Sequence, residues 1–425
     1  MVLPLKQIGT SPTLLLNEQL RMMEQRGQPV CKLGFGQSPF PPIPAAVEAL
    51  REHARTRNYT PVQGIMALRE CVAAFHRQCD NLEIKPQDVI IAPGSKVLIY
   101  CILAAFEHAQ VFLPSPTWVS YMPQARMLGH RVVSIPSTFE QRWLLTADAL
   151  ADALATQEAR GAPSILILTS PGNPTGLSYD AEHLKQIAEV CAHYGVYVIS
   201  DEIYGLLHHE GGHVSLAQFY PEGTIVTGGL SKWAGAGGWR LGTALLPEAL
   251  HHKNILKPAI MGVASEVYSC ASTPIQFAAQ AAYEWSQATQ EYVEAVRKIF
   301  ACVGQWSAER LQSAGVQLHR PDGGFYHFVD FMPLRSALHA RHITTSQALC
   351  AALLRDTGVA LLPADAFGVD KSYLSARLAY VDFDGADALA AVRELGDAPI
   401  PQEWLQTYFL RTARGIDALC DWLAQ

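Results

Sequence analysis

Ser170-Pro-Gly-Asn-Pro-Thr-Gly176 follows a short apolar run at residues 165–168, and Gly228-Gly-Leu-Ser-Lys232 follows another at residues 225–227. Both runs are rich in Ile, Val or Leu and are too short for a core helix, so they indicate buried strands. Three further runs of this kind, at residues 89–92, 111–113 and 196–199, also lead into polar or Gly/Pro-rich residues. Since open α/β sheets bind ligands beyond the carboxyl ends of their strands, these five segments predict one shared site.

The middle of the chain alternates strand-like and helical segments, which predicts an α/β sheet of mainly parallel strands flanked by helices. The last third differs, because residues 281–312 indicate a long helix pair and residues 323–330 and 376–381 indicate two strands. We therefore predict a large domain at residues 45–285 and a smaller α+β domain built from residues 1–44 and 286–425. The Pro-rich segment at residues 40–44 marks the crossing between them.

Composition excludes several classes of function. The formal net charge of −7 offers no basic face for nucleic acid, and no apolar run is long enough to span a membrane. The nine cysteines are spread singly, without a Cys-x-x-Cys pair, and the first residues do not form a signal peptide. We expect a cytoplasmic protein with reduced thiols and no nucleic-acid or membrane partner.

Four segments in order carry a resemblance to a known family: Ser170-Pro-Gly-Asn-Pro-Thr-Gly176, Ser200-Asp-Glu-Ile-Tyr204, Ser231-Lys232 and Gly238-Trp-Arg-Leu-Gly242. They resemble the class I/II aminotransferases of pyridoxal-phosphate (PLP) fold type I, and the resemblance extends from about residue 33 to 380. It implies a PLP enzyme that moves an amino group from an L-amino acid to a 2-oxo acid in a ping-pong reaction. The acceptor would be 2-oxoglutarate or a similar acid.

The resemblance implies a role for each polar residue near the cofactor ring. Lys232 falls where the family's lysine holds PLP as a Schiff base and then moves the proton. Asp201 matches the carboxylate that keeps the pyridine nitrogen protonated, so that the ring can act as an electron sink. Asn173 and Tyr204 match the two donors to the 3′ oxygen, and Trp118 matches the aromatic side chain that stacks on the ring.

The phosphate ligands are implied in the same way, by Gly94, Ser95 and Lys96 before a helical run and by Ser231 and Arg240. Amides at a helix N-terminus suit an anion because they are unpaired and the helix dipole is positive there. One departure is visible, because Gly229 stands where the family often has serine.

Substrate and partner contacts follow from three further matches. Arg377 matches the arginine that grips the substrate α-carboxylate with its planar fork, and Gly36 matches the glycine whose backbone closes over it. Trp118 and Asn173 also border that substrate site. Tyr59 resembles the tyrosine that reaches the phosphate of the neighbouring subunit, which implies a homodimer with shared sites. The residues after Gly36, Gln-Ser-Pro-Phe, depart from the family's usual Glu-Pro-Asp-Phe.

The sequence leaves one alternative to transamination open and argues against two others, a regulator without catalysis and a zinc protease. The same apparatus supports β- or γ-elimination, replacement or oxidation, and a regulator without catalysis would need a DNA-binding module. His209-Glu-Gly-Gly-His213 fits a zinc-protease pattern, but its two glycines oppose the required helix, so we expect a polar surface loop and no metal site. The side-chain recognition residue is not assigned; Arg57, Lys96 and Arg126 are candidate cations, and Phe35, Trp118 and Tyr121 offer an apolar alternative.

Overall fold

A computed structural model describes residue 6 and residues 8–156 and 161–425 of the chain. The described strands are β1 Val89–Ala92, β2 Gln110–Ser115, β3 Arg131–Pro136, β4 Ser164–Thr169, β5 Tyr197–Asp201, β6 Thr224–Gly229, β7 Gly242–Leu245, β8 Tyr326–Asp330, β9 Leu362–Pro363 and β10 Ser375–Ala379. The described α-helices are α1 Pro12–Gln25, α2 Pro44–His53, α3 Met66–Asp80, α4 Ser95–Ala104, α5 Tyr121–Met127, α6 Ala147–Ala155, α7 Ala181–Tyr194, α8 Lys253–Val267, α9 Thr273–Tyr283, α10 Gln287–Ser313, α11 Arg335–Ala340, α12 Ser346–Thr357, α13 Gly385–Leu395 and α14 Leu410–Leu423.

The central sheet has seven strands in the order β1-β7-β6-β5-β4-β2-β3. All neighbouring pairs are parallel except those of β7, which runs antiparallel to both β1 and β6. The predicted α/β class with a mainly parallel sheet is therefore confirmed. In this register Thr169 pairs with Asp201 and Asp201 with Thr227, so the ends of β4, β5 and β6 lie side by side.

Helices cover both faces of the sheet, and successive side chains of a strand point to opposite faces. Val198 packs with α6 and α7, whereas its neighbour Ile199 packs with α4, α5 and α8. The five predicted strands are continuous apolar runs for this reason. Two strands of this sheet were not predicted from the sequence: β3 is an edge strand with exposed residues, and β7 consists of Gly242, Thr243, Ala244 and Leu245.

The predicted helix pair at residues 281–312 is wrong. After α9 ends at Tyr283, one continuous helix of 27 residues, α10, begins at Gln287. The Ser286 hydroxyl caps its N-terminus by accepting a hydrogen bond from the Thr289 amide. Gly304 does not break α10; a β-carbon there would lie 2.9 Å from the Tyr380 hydroxyl oxygen, so the missing side chain makes room for that ring.

A second sheet, in the order β8-β10-β9, is antiparallel throughout and places Arg377 opposite Phe328. Helix α1 packs against the same region, where Leu20 contacts Leu354 and Ala360 in a small buried cluster. The N-terminal segment thus joins the C-terminal third of the chain at the side of the central sheet. No helix in the described part of the chain combines the length and apolarity that crossing a membrane requires.

Candidate active site

A cavity of about 360 Å³ lies at the carboxyl ends of the central strands. It brings together eleven of the thirteen predicted site residues, which are Gly36, Ser95, Lys96, Trp118, Asn173, Asp201, Tyr204, Ser231, Lys232, Arg240 and Arg377. Gly94 does not line the cavity but directly precedes Ser95, the first residue of α4, which does. Tyr59 is 89% exposed and does not line the cavity of its own chain.

Asp201 ends β5 with its carboxylate buried among neutral donors. The Tyr121 hydroxyl donates to Oδ2 at 2.7 Å, and the Thr227 hydroxyl donates to Oδ1 at 3.4 Å. Burial raises the pKa of Asp201 to about 6, although the hydrogen bonds from Tyr121 and Thr227 oppose that rise. The carboxylate has neutral partners only, so a protonated ring nitrogen in the cavity would supply the missing counter-charge.

Lys232 follows the end of β6 and points into the same cavity. Its Nζ donates to the Gly36 carbonyl at 2.8 Å and lies 5.5 Å from the centre of the Tyr204 ring. Burial, together with the positive charges of Arg377 and Arg240, lowers the pKa of Lys232 to about 7. A neutral amine, which is the nucleophilic form, is therefore accessible near neutral pH.

Another group of residues in the cavity wall is shaped for an anion. Helix α4 begins at Ser95, and Arg240 Nη1 donates to the Ser231 hydroxyl at 3.2 Å. Gly94 has a φ of +99°, and a β-carbon there would lie 2.2 Å from Arg240 Nη2. A hydroxyl group, a guanidinium and the start of a helix thus converge at one point, which is the donor set of a phosphate site.

Arg377 is 2% exposed and extends from β10 into the cavity. Its Nη1 donates to Asn173 Oδ1 at 2.9 Å and its Nη2 to the Gly34 carbonyl at 2.7 Å, whereas its Nε has no partner. The Tyr204 and Tyr326 hydroxyls are 2.8 Å apart beneath it. A buried guanidinium with a free N–H fits a carboxylate.

Comparison with known proteins decides the family. The profile of the family described as aminotransferase class I and II matches residues 28–390. The chain belongs to this family. Its members use pyridoxal phosphate, and the buried amine, the buried carboxylate and the anion site described above fit that cofactor in one cavity. The chain is therefore a PLP-dependent transaminase, as the sequence predicted.

Individual relatives give the same picture. An aspartate aminotransferase of Geobacillus stearothermophilus is 33% identical over 370 residues, which cover 84% of this chain and 89% of the relative. A bifunctional aspartate aminotransferase and glutamate/aspartate-prephenate aminotransferase of Petunia hybrida is 33% identical over 85% of this chain and 76% of the relative. The solved structure of an aspartate aminotransferase from Thermus thermophilus with maleate has a TM-score of 0.81 at 26% identity, covering 97% of this chain and 100% of that one.

Several site residues of this aminotransferase were not predicted. Tyr121, considered from the sequence as a possible side-chain contact, donates to Asp201 instead. Tyr326 stands in the predicted strand at residues 323–330, but nothing in that strand indicates which face enters the site. Ser11 directly precedes α1 and Thr13 lies in its first turn; both line the cavity, and the Thr13 hydroxyl is buried without a partner. Arg57 and Arg126 are exposed and do not line the cavity.

The interpretation of residues 209–213 as a polar surface loop is wrong for its last histidine. The His213 side chain is 7% exposed, and its Nε2 lies 3.0 Å from Glu202 Oε2. Burial would lower the pKa of His213, but the hydrogen bond and charge of Glu202 outweigh burial and raise it. His209 faces another direction, towards the Gly324 carbonyl at 3.0 Å.

The family departure at Gly229 has a steric cause. Its φ is +147°, which L side chains rarely adopt, and a β-carbon there would lie 2.5 Å from the Leu241 carbonyl oxygen. Gly229 pairs with Gly242 in the β6–β7 ladder, so the two backbones approach closely at the anion site. A serine does not fit in this backbone conformation.

We predict that Gly229→Ser lowers the free energy of unfolding by about 1–3 kcal/mol, because it forces strain into the ladder, and adds no affinity for phosphate. The measurement is chemical denaturation of the apoprotein. Gly262→Ser is the matched control, since a β-carbon at Gly262 meets no atom within 4 Å. A Gly229→Ser protein that is as stable as the control and binds phosphate more tightly would contradict the steric explanation.

Proposed function

We propose that this aminotransferase takes L-aspartate as amino donor, and that the residues gathered in the cavity have the roles that the sequence predicted. The observation that carries the proposal is the presence of Lys232, Asp201 and Arg377 in one buried cavity together with an anion site. These groups are separated by up to about 180 residues in the chain, and one cofactor–substrate pair accounts for all of them.

The cofactor would be held at three places. Lys232 would bind it covalently, Asp201 would hold its ring nitrogen in the protonated state, and Ser95, Ser231 and Arg240 would hold its phosphate. Lys96 and Gly94 would complete the phosphate site, and Trp118 would stack on the ring. When bound, pyridoxal phosphate supplies an electron sink for a substrate that has lost its α-proton. Asn173 and Tyr204 would donate hydrogen bonds to the oxygen beside the reacting carbon.

Lys232 would also move the proton in both half-reactions. Its amine has a pKa lowered to about 7, so it can accept a proton at neutral pH and return it. Gly36 would place its carbonyl 2.8 Å from that amine and so orient it in the free enzyme. The neighbouring cations Arg240 and Arg377 keep the amine from remaining protonated, because like charges in a buried site disfavour the charged form.

An acidic donor is supported by the groups that the cofactor leaves free. Arg377 would take the α-carboxylate of the donor. Thr13, whose hydroxyl is buried without a partner, and Ser11 also line the cavity, and their hydroxyls would remain free for the side-chain carboxylate. Relatives named aspartate aminotransferases support the same choice.

A homodimer with shared sites is part of the proposal. Tyr59 is 89% exposed although it is a large aromatic residue, and other large apolar side chains are exposed as well, including Met66, Ile255 and Val267. A second subunit that covers these side chains would remove their apolar surface from water, which supports the dimer. Tyr59 would then reach the phosphate of the partner's cofactor.

Two coarser proposals concern the chain as a whole. The contacts of α1 with the C-terminal third support a small domain of residues 1–44 and 286–425 beside a large domain of residues 45–285. All nine cysteines are free, which supports a reducing compartment such as the cytoplasm.

The role of Lys232 predicts where and when the cofactor attaches. Apoprotein offered pyridoxal phosphate and then reduced with borohydride should carry one cofactor on Lys232, and Lys232→Ala should carry none. Because the neutral amine attacks and forms as pH rises through its pKa, the attachment rate should be half-maximal near pH 7 (Lys232 pKa about 7). Peptide mapping and stopped-flow absorbance measure both. Attachment to another lysine, or a rate that still rises steeply near pH 10, contradicts the assignment.

The aspartate proposal predicts a selective defect. Thr13→Val keeps the shape of the side chain and removes its hydroxyl, so KM for aspartate should rise about tenfold, as expected for a lost hydrogen bond to a charged group. KM for alanine as donor should not change. Thr138→Val, an exposed site outside the cavity, is the control. Equal effects on aspartate and alanine, or alanine as the better donor of the unmodified protein, would refute the acidic substrate.

The shared site predicts complementation between inactive variants. Lys232→Ala and Tyr59→Ala homodimers should both be impaired, whereas hybrid dimers carry one intact site built from the Lys232 of one subunit and the Tyr59 of the other. Mixing equal amounts after mild unfolding should restore about a quarter of the normal number of sites, from random pairing in a twofold dimer. Restoration is measured as transaminase activity, because Tyr59→Ala subunits keep Lys232 and can bind cofactor covalently without a restored site. No restoration would place Tyr59 outside the partner's site.

A further inference from the structure

The residue after Asp201 is a second buried carboxylate, Glu202, which the reaction does not use. Because neighbouring residues at the end of a strand point to opposite sides, Glu202 faces away from the cofactor cavity. It lines a separate small cavity of about 30 Å³ behind the sheet, together with Thr227 and His213. Its side chain is 5% exposed.

Three side chains hold the Glu202 carboxylate. The hydroxyls of Ser200 and Ser215 donate to Oε1 at 2.8 and 2.7 Å, and His213 Nε2 lies 3.0 Å from Oε2. The Glu202 amide also donates to the Thr227 carbonyl at 2.8 Å. Ser200 and Glu202 stand immediately before and after Asp201, so these bonds fix the backbone on both sides of it.

The small cavity that Glu202 lines also adjoins a residue that contacts the Asp201 carboxylate. Thr227 lines the small cavity, and its hydroxyl donates to Asp201 Oδ1. The ionisable groups that surround Glu202 and His213 are His76, Cys79 and Asp80 from α3, His208 from the same loop, Tyr283 from α9 and Arg297 from α10. Asp80 lies 2.5 Å from His76 Nδ1, so the second carboxylate of the cluster also has its own partner.

We propose that Glu202 and His213 are positioning residues for Asp201: they tie the end of β5 to the loop at residues 213–215 so that the Asp201 carboxylate stays aimed at the cofactor ring. The inference rests on the proposed role of Asp201. The Glu202 side chain acts through its bonds to Ser200, Ser215 and His213, which fix the backbone next to Asp201, and it touches neither cofactor nor substrate. A buried carboxylate with three donors is a rigid anchor, because each donor would be left unsatisfied if the strand end moved.

The test compares the dissociation constant of pyridoxal phosphate for apoproteins that differ at Glu202. Glu202→Ala should bind the cofactor about tenfold more weakly, since a charge-assisted network is lost behind Asp201. Glu202→Gln should bind within about twofold of the unmodified protein, because its amide oxygen still accepts from both serines and its NH2 can donate to a neutral His213. In Glu202→Ala kcat should fall with little change in KM for the amino donor.

Asp88→Ala is the matched control. Asp88 is a buried carboxylate at the opposite end of the sheet, where Lys253 and Lys257 donate to it at 2.8 and 3.2 Å. The Asp88→Ala substitution should lower the free energy of unfolding, but at a temperature where the variant is folded it should not weaken cofactor binding. Should Glu202→Ala fail to fold, Ser215→Ala removes one donor and should weaken binding about threefold.

The outcomes separate the two proposals. Tighter or unchanged cofactor binding in folded Glu202→Ala or Ser215→Ala overturns the inference, and so does a Glu202→Gln protein as weak as Glu202→Ala. Equal weakening in Asp88→Ala also overturns it, because general loss of stability would then explain the effect. If the unmodified chain binds no pyridoxal phosphate, the proposed function fails instead.

Discussion

The site depends on an imbalance of buried charge. In the described part of the chain, four basic side chains line the cavity together with a single carboxylate, Asp201; they are Lys96, Lys232, Arg240 and Arg377. Buried like charges repel strongly because little water screens them. Burial and this repulsion together lower the pKa of Lys232 to about 7, and the repulsion also favours ligands that carry several negative charges. In the proposed function, a cofactor phosphate and a substrate carboxylate would relieve the imbalance, so the electrostatics that prepare the amine would also select what binds beside it.

The fold fixes the position of each of these basic side chains around the cavity. Arg240 follows β6 at the turn into β7 and has a φ of +56°, a left-handed conformation that is uncommon for residues other than glycine. Such a backbone persists where the surrounding structure determines it. Here the determinants are the Gly229–Gly242 pairing and the close approach of Gly242 to the backbone of Ser95. The glycines of β6 and β7 therefore serve the anion site, and the antiparallel β7 is what brings Arg240 to α4.

The sequence was informative wherever a site residue directly follows a buried strand. Asn173, Asp201 and Lys232 each follow an apolar run, and parallel strands bring their carboxyl ends to one edge. The sequence was uninformative where position depends on packing between distant segments: Thr13 enters the cavity through α1, and nothing local indicates it. The same applies to α10, which was predicted as two helices, since the tolerance of Gly304 depends on Tyr380, far along the chain. Family resemblance supplied Arg377, which no local pattern marks.

Asp201 and Glu202 illustrate how adjacent residues of one type acquire different tasks. The alternation of the strand sends one carboxylate into the cofactor cavity and the other behind the sheet. Burial raises the pKa of Asp201, and the charge of Glu202 adds to that rise, whereas the hydroxyls of Tyr121 and Thr227 counter it. Glu202 is itself paired with His213, whose Nε2 lies 3.0 Å from Glu202 Oε2. The two carboxylates are thus electrostatically coupled across β5. In the proposed function, Asp201 would hold a protonated ring nitrogen while Glu202 keeps its own hydrogen-bond partners behind the sheet.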